Sequence, residues 1–142
     1  MANAKKIMTF DADINSIYKV ITDYASYPEY MDGVSGLDIL ESDDNGARAK
    51  YHLNLIKKFS YILKMKHNAP NGLSWEFESG DIFKVNSGSW ELKDLGNGKT
   101  EVTYNIEVEA KVFAPKMIVN KLVEVNLPTM MKAVEKRAQS LL

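Results

Sequence analysis

Two histidines, His52 and His67, and seven tyrosines are the side chains here with the widest chemical range. An imidazole titrates near neutral pH and acts as a general acid or base when the reacting group lies within hydrogen-bond reach. His67 shares the alternating phase of Phe59, Tyr61, Leu63 and Met65, which aims it toward an apolar interior. That phase makes it the single catalytic candidate, whereas its place beside the turn Asn68-Ala69-Pro70-Asn71-Gly72 favours a plain rim histidine. His52 falls on the polar phase of its strand and is expected in solvent. The serines at 35, 42, 60, 74, 79, 87, 89 and 140 lie outside any motif that marks an activated nucleophile. Gly33-Val34-Ser35-Gly36 lacks the Gly-x-Ser-x-Gly pattern and the helix that should follow it, and reads as a loop. Cysteine is absent, which excludes thiol catalysis, zinc–thiolate sites and disulfides. The histidines sit on opposite strand phases and do not converge, so neither a metal site nor a cofactor is expected.

Tyr51, Tyr61 and Tyr104 occupy the apolar phase of their strands, and a buried phenol requires a hydrogen-bond partner. In a filled core that partner is backbone or water. In a pocket the phenol orients a carbonyl or hydroxyl of a mainly apolar ligand. Met65, Met117, Met130 and Met131 add soft thioether surface, which either fills a core or adapts to an irregular ligand. The expected pocket wall is Tyr51, Tyr61, Leu63, Met65, Trp75, Phe77, Tyr104 and Ile106 from strands, with Leu122, Val125 and Met130 from a C-terminal helix.

The chain has 142 residues, 45% apolar and 26% charged, which suits one globular domain spanning residues 1–142. Lysine plus arginine number 18 against 19 aspartate plus glutamate. That balance counts against DNA, which demands a basic excess. Lys57-Lys58 and the helix cations Lys132, Lys136 and Arg137 are offset by Glu107, Glu109, Glu124 and Glu135, as on a solvated face. No run approaches ~18 apolar residues, and the N-terminal Met1-Ala2-Asn3-Ala4-Lys5-Lys6 lacks the apolar core of a signal peptide. A cytoplasmic protein without stable membrane insertion is the expectation.

Residues 5–10 read as a strand, and Asp11 or Asp13 caps a helix whose stripe is Ile14, Ile17, Tyr18 and Ile21. Tyr27-Pro28 ends that helix, with a short second one around Pro28 to Met31. From Leu37 to about residue 113 the period changes to 2, punctuated by turns at Asn45-Gly46, Asn68 to Gly72, Ser79-Gly80-Asp81 and Gly96-Asn97-Gly98. Residues 115–142 are helical in character, with Pro128 bending or dividing them. The order gives an α+β domain: a curved antiparallel sheet of about seven strands closed by one long helix.

Ile17-Tyr18-Lys19-Val20-Ile21-Thr22-Asp23-Tyr24, then Tyr27-Pro28-Glu29-Tyr30, resembles the first helix and turn of the START-like (SRPBCC) superfamily. Gly88-Ser89-Trp90-Glu91-Leu92 and Gly96-Asn97-Gly98-Lys99-Thr100-Glu101-Val102-Thr103-Tyr104 resemble its penultimate hairpin. The similarity covers nearly the whole chain and points to the polyketide cyclase/dehydrase and coenzyme Q-binding branch. That resemblance implies the helix-grip fold and, for function, a carrier of an apolar small molecule such as a lipid, quinone or polyketide. A polyketide aromatase/cyclase or dehydratase is the first alternative, drawing on His67 and a tyrosine. A ribosome-associated protein is the second, and it would need a basic surface that this near-neutral chain does not announce.

Overall fold

The computed structural model describes residues 2–141. The first strand, β1, runs Ala2–Phe10, and helix α1, Ile14–Thr22, starts where Asp13 accepts hydrogen bonds from the Ser16 N–H and hydroxyl, both at 2.9 Å. Those bonds hold the Asp13 carboxyl below its ordinary value. A value lower in the folded than in the unfolded chain means that folding favours the carboxylate. The contribution is complete above an unfolded pKa of about 3.9 and disappears as pH falls through the lower folded value. Asp13→Ala is therefore expected to cost about 1 kcal/mol at pH 7. Urea unfolding at pH 7 and again below pH 3 should show the gap from wild type closing in acid.

Ile14, Ile17, Val20 and Ile21 of α1 are buried. A 3₁₀ turn, Tyr24–Ser26, leads into the one-turn helix α2, Tyr27–Tyr30, with Pro28 in its first turn, where a missing N–H costs nothing. Six strands follow: β2 Val34–Asp43, β3 Gly46–Leu55, β4 Lys57–Asn68, β5 Gly72–Gly80, β6 Phe83–Gly96 and β7 Lys99–Ala110. All pair antiparallel, in the spatial order β1-β7-β6-β5-β4-β3-β2, so β1 crosses over to join β7. The first strand begins earlier than the alternation suggests, and Ser35 lies within β2 rather than in a loop.

One face of the sheet carries the core. Phe59, Tyr61, Leu63, Trp75, Val102, Tyr104, Ile106 and Val108 are buried there, and Phe77 packs half-buried at its margin. Gly88 is required opposite Trp75, its register partner. A Cβ at Gly88 would stand 2.6 Å from the Trp75 ring and 2.1 Å from the Asn105 carbonyl oxygen.

Residues 116–139 form one continuous helical rod, made of α3 Lys116–Asn120, a π-helical segment Lys121–Asn126, and α4 Leu127–Gln139. Pro115 is the N-cap residue, just before the first turn. Pro128 neither divides the rod nor stands in its regular interior. It falls in the first turn of α4, directly after the π segment. A proline ring collides with the carbonyl four residues back, and the wider π turn accommodates that clash without ending the helix. Ile118, Leu127, Met131, Val134 and Ala138 anchor the rod to the core.

A tyrosine-lined cavity beneath the C-terminal helix

The sheet and rod enclose a cavity of about 120 Å³. Leu53, Leu63, Met65, Leu73, Trp75, Trp90 and Ile106 form most of its wall, with Leu122, Leu127 and Met130 above. Five tyrosines, Tyr24, Tyr27, Tyr51, Tyr61 and Tyr104, supply nearly all its polar groups, joined by Asn86, Asn126 and Asp32. The rings brace each other: Tyr51 stacks on Tyr61 at 5.3 Å, and Tyr104 meets Trp90 edge-on at 4.8 Å.

The mouth is identified by exposure. Almost every lining residue is buried, whereas Asp32, Val34, Leu122, Asn126 and Met130 are not. The opening therefore lies between the turn after α2 and the π segment of the rod. Asn126 spans it, its side-chain amide donating to the Asp32 carbonyl at 3.2 Å. Gly33 permits that closure: it sits at φ +88°, and a Cβ there would strike the Leu55 side chain at 2.5 Å.

Inside, the ionisable groups are held neutral. Burial pushes the phenols of Tyr24, Tyr27, Tyr51, Tyr61 and Tyr104 up, so all stay protonated donors at physiological pH. For Tyr61 the nearby Asn86 amide offsets part of that rise. Asn86, 2% exposed, accepts the Trp75 indole N–H at 3.1 Å and so fixes the indole in the cavity wall. Tyr27 donates to the Ile21 carbonyl, and Tyr51 contacts the Met65 sulfur at 4.0 Å. Among the described residues Tyr104 forms no side-chain hydrogen bond, which leaves its phenol free for a guest.

A sequence profile described as "Polyketide cyclase / dehydrase and lipid transport" matches residues 10–135. The chain belongs to this family. No curated protein matches the sequence. Among solved structures, a START superfamily protein from Mycobacterium smegmatis superposes with a TM-score of 0.84 at 22% identity, covering 99% of both chains. The Zhui aromatase/cyclase from Streptomyces sp. R1128 gives 0.87 at 15% identity, over 97% of this chain and 93% of that one. Human STARD10 gives 0.75 at 16% identity, over 97% of this chain and 63% of that one. These likenesses establish the helix-grip fold.

In this member of the family, the residues expected at the pocket divide by position. Tyr51, Tyr61, Leu63, Met65, Trp75, Tyr104, Ile106, Leu122 and Met130 line the cavity. Val125 does not. It faces solvent, 58% exposed, because the π segment turns Asn126 toward the mouth in its place. Phe77 stands off the lining as well. A bulge lets β5 carry an extra residue between Phe77 and Ser79, and β5–β6 pairing reaches only Trp75↔Gly88, so the strand end swings outward.

His67 is half-buried and outside the lining, with Nε2 2.8 Å from the Tyr24 phenol oxygen. It reaches the cavity only through Tyr24. His52 is not a free surface histidine. Its Nδ1 lies 2.8 Å from Ser60 Oγ and its Nε2 2.8 Å from an Asp38 carboxylate oxygen, which links β2, β3 and β4 across the face away from the cavity. A serine, histidine and carboxylate in series suit a nucleophile, but the Ser60 backbone N–H is committed to Asp81 Oδ2 at 3.1 Å and is not free to stabilise an oxyanion. The cluster is a cross-strand polar ladder.

Asn86, Tyr24, Tyr27 and Asn126 complete the site and do not follow from the simple alternation. For Asn86 a signal exists. Phe83 is apolar on an odd number and Trp90 and Leu92 on even ones, so the strand must change phase between them. The bulge between Phe83 and Val85 makes that change and turns Asn86 inward.

Proposed function

We propose that this protein binds and carries a small, mainly apolar molecule in the cavity between sheet and rod, without chemistry of its own. The observation that carries this reading is the neutral interior. The cavity wall is apolar and aromatic, its phenols stay protonated, and its one carboxylate, Asp32, stands at the mouth. A carrier needs hydrogen-bond donors to orient a carbonyl or hydroxyl, and these tyrosines supply them.

Size limits the guest. An apolar cavity of roughly 150 Å³ accepts benzene. The space here therefore takes one ring or a short chain, and a lipid, quinone or polyketide requires the mouth to widen by displacement of residues 121–126. The Tyr24–His67 pair favours a second reading, an aromatase/cyclase or dehydratase in which His67 polarises the Tyr24 phenol against a carbonyl. Organic extraction of freshly purified protein followed by mass spectrometry tests the carrier. A stoichiometric apolar compound is expected. Release of a chemically altered product from an added polyketide-like substrate, abolished by His67→Gln, would replace the carrier with the enzyme.

A further inference from the structure

Large apolar side chains are exposed unevenly over this molecule. Five of the ten that the described residues leave in solvent sit at one end of the grip: Ile56 at 53%, Val112 at 102%, Phe113 at 72%, Met117 at 67% and Val125 at 58%. The topology gathers them there. Strands β3, β5 and β7 end, and β4 and β6 begin, at that end of the sheet. Ile56 is the tip of the β3–β4 hairpin, and Val112 and Phe113 lie in the connection from β7 to α3. That connection is tied to the β5–β6 turn by the Lys111 N–H on the Ile82 carbonyl at 2.7 Å and by Lys111 Nζ on the Gly80 carbonyl at 2.9 Å. Met117 and Val125 continue the row along the rod, two turns apart on its outer side.

This end is also where the cavity opens. Ile56 follows Leu55, whose side chain packs on Gly33, and Val125 precedes Asn126, which bridges the mouth to Asp32. One apolar side chain thus stands on each lip. Lysines surround them: Lys57 and Lys58 at the hairpin, Lys111 and Lys116 at the connection, and Lys121 between Met117 and Val125 on the rod. Asp32, Asp81 and Glu124 are the acidic residues of the same loops and rod segment, and Lys84 and Glu109 at the adjoining strand ends pair at 3.8 Å and cancel, so this end is net positive in a chain whose overall charge is −1.

We infer that this rim docks the protein on an anionic lipid surface, with Ile56, Val112, Phe113 and Met117 entering the interface and the lysines meeting phosphate headgroups. The inference rests on the carrier reading in one respect: it gives an apolar guest a route into the cavity that avoids water. Exposed apolar tips ringed by lysines match a surface that is apolar beneath an anionic layer. A protein partner would more commonly meet a flat apolar patch with a polar rim than isolated tips on separate loops.

Flotation of the full chain with vesicles of phosphatidylcholine alone, or mixed with phosphatidylglycerol, tests the inference. Binding to the mixed vesicles is expected, weakening as salt rises. Phe113→Asp should lower partitioning about tenfold or more, since it withdraws a whole aromatic side chain from the interface. Lys57→Glu with Lys58→Glu should reduce binding to the mixed vesicles specifically. These positions lie off the cavity lining, so the melting temperature and the uptake of an apolar fluorescent probe should match wild type. Wild type that ignores both vesicle types, or Phe113→Asp that binds as wild type does, overturns the inference. So does a concentration-dependent dimer that Phe113→Asp abolishes, because the patch would then belong to a second copy. Normal probe uptake without vesicle binding removes the docking surface and leaves the carrier intact. Vesicle binding without probe uptake supports the docking surface and removes the carrier.

Discussion

Met130→Trp is expected to keep a near-normal melting temperature while weakening uptake of an apolar fluorescent probe at least tenfold. Met130 lines the cavity from α4, so a larger ring at this position has about 120 Å³ of space to enter. Forcing extra volume into a filled core typically costs ~1–3 kcal/mol. In a domain of this size each kcal/mol lowers the melting temperature by about 2–4 °C. An indole that fills empty space avoids most of that cost and gains dispersion contacts. Thermal melting and probe titration on the same preparation separate the cases. A variant that melts ~10 °C low, from a parent that never took up the probe, would identify a filled core. The carrier and cyclase readings would then fall together.

Removing the Asn86 amide should produce the largest loss of stability that a single polar group contributes to the cavity. Asn86 is buried and accepts from Trp75 Nε1 at 3.1 Å. Asn86→Leu leaves an indole N–H without its acceptor in an apolar wall, at a cost of about 1–3 kcal/mol. Trp75→Phe leaves the amide oxygen unpaired and opens space beside it. The double variant removes both halves of the bond, so its cost should fall short of the summed single costs by about 1 kcal/mol or more. Urea unfolding of the four proteins measures the difference. Strict additivity would mean that the bond contributes nothing, and that the inward position of Asn86 needs another cause.

The sheet was legible because alternation is a local property. Val102, Tyr104, Ile106 and Val108 alternate with polar residues without interruption, and β7 follows them residue by residue. Gly96-Asn97-Gly98 marks a hairpin through its tolerance of positive φ, and all three residues adopt it, whereas the Asn45-Gly46 hairpin forms without it, its N–H groups donating to the Asp43 carboxylate. The resemblance of the Tyr27-Pro28-Glu29-Tyr30 turn brought the fold family, which the profile match over residues 10–135 now shows. Alternation failed where a strand carries an extra residue. The bulges at Phe83/Val85 and on β5 near Phe77 reverse or release the phase, which brought Asn86 in and left Phe77 at the margin. Bulges are set by how neighbouring strands curve, which no single strand records.

The amino-acid sequence by itself determined how many strands form and in what order, which face of each regular strand is apolar, that an aspartate at 11 or 13 caps the first helix, and that a long helix must close the sheet; the ends of β1 and β2 and the choice of Asp13 came from the structure. The former follow from side-chain period, turn chemistry and backbone hydrogen bonding, all of which act over a few residues. The tertiary structure alone decided that Asn126 rather than Val125 turns toward the mouth, because the π segment that accommodates Pro128 shifts the helical register by part of a turn. It alone decided that His67 meets Tyr24, forty-three positions away, instead of the cavity. It also decided that a space of about 120 Å³ remains beneath the rod. Whether a core fills depends on how closely a straight rod can approach a curved sheet, and that distance is a property of the assembled fold.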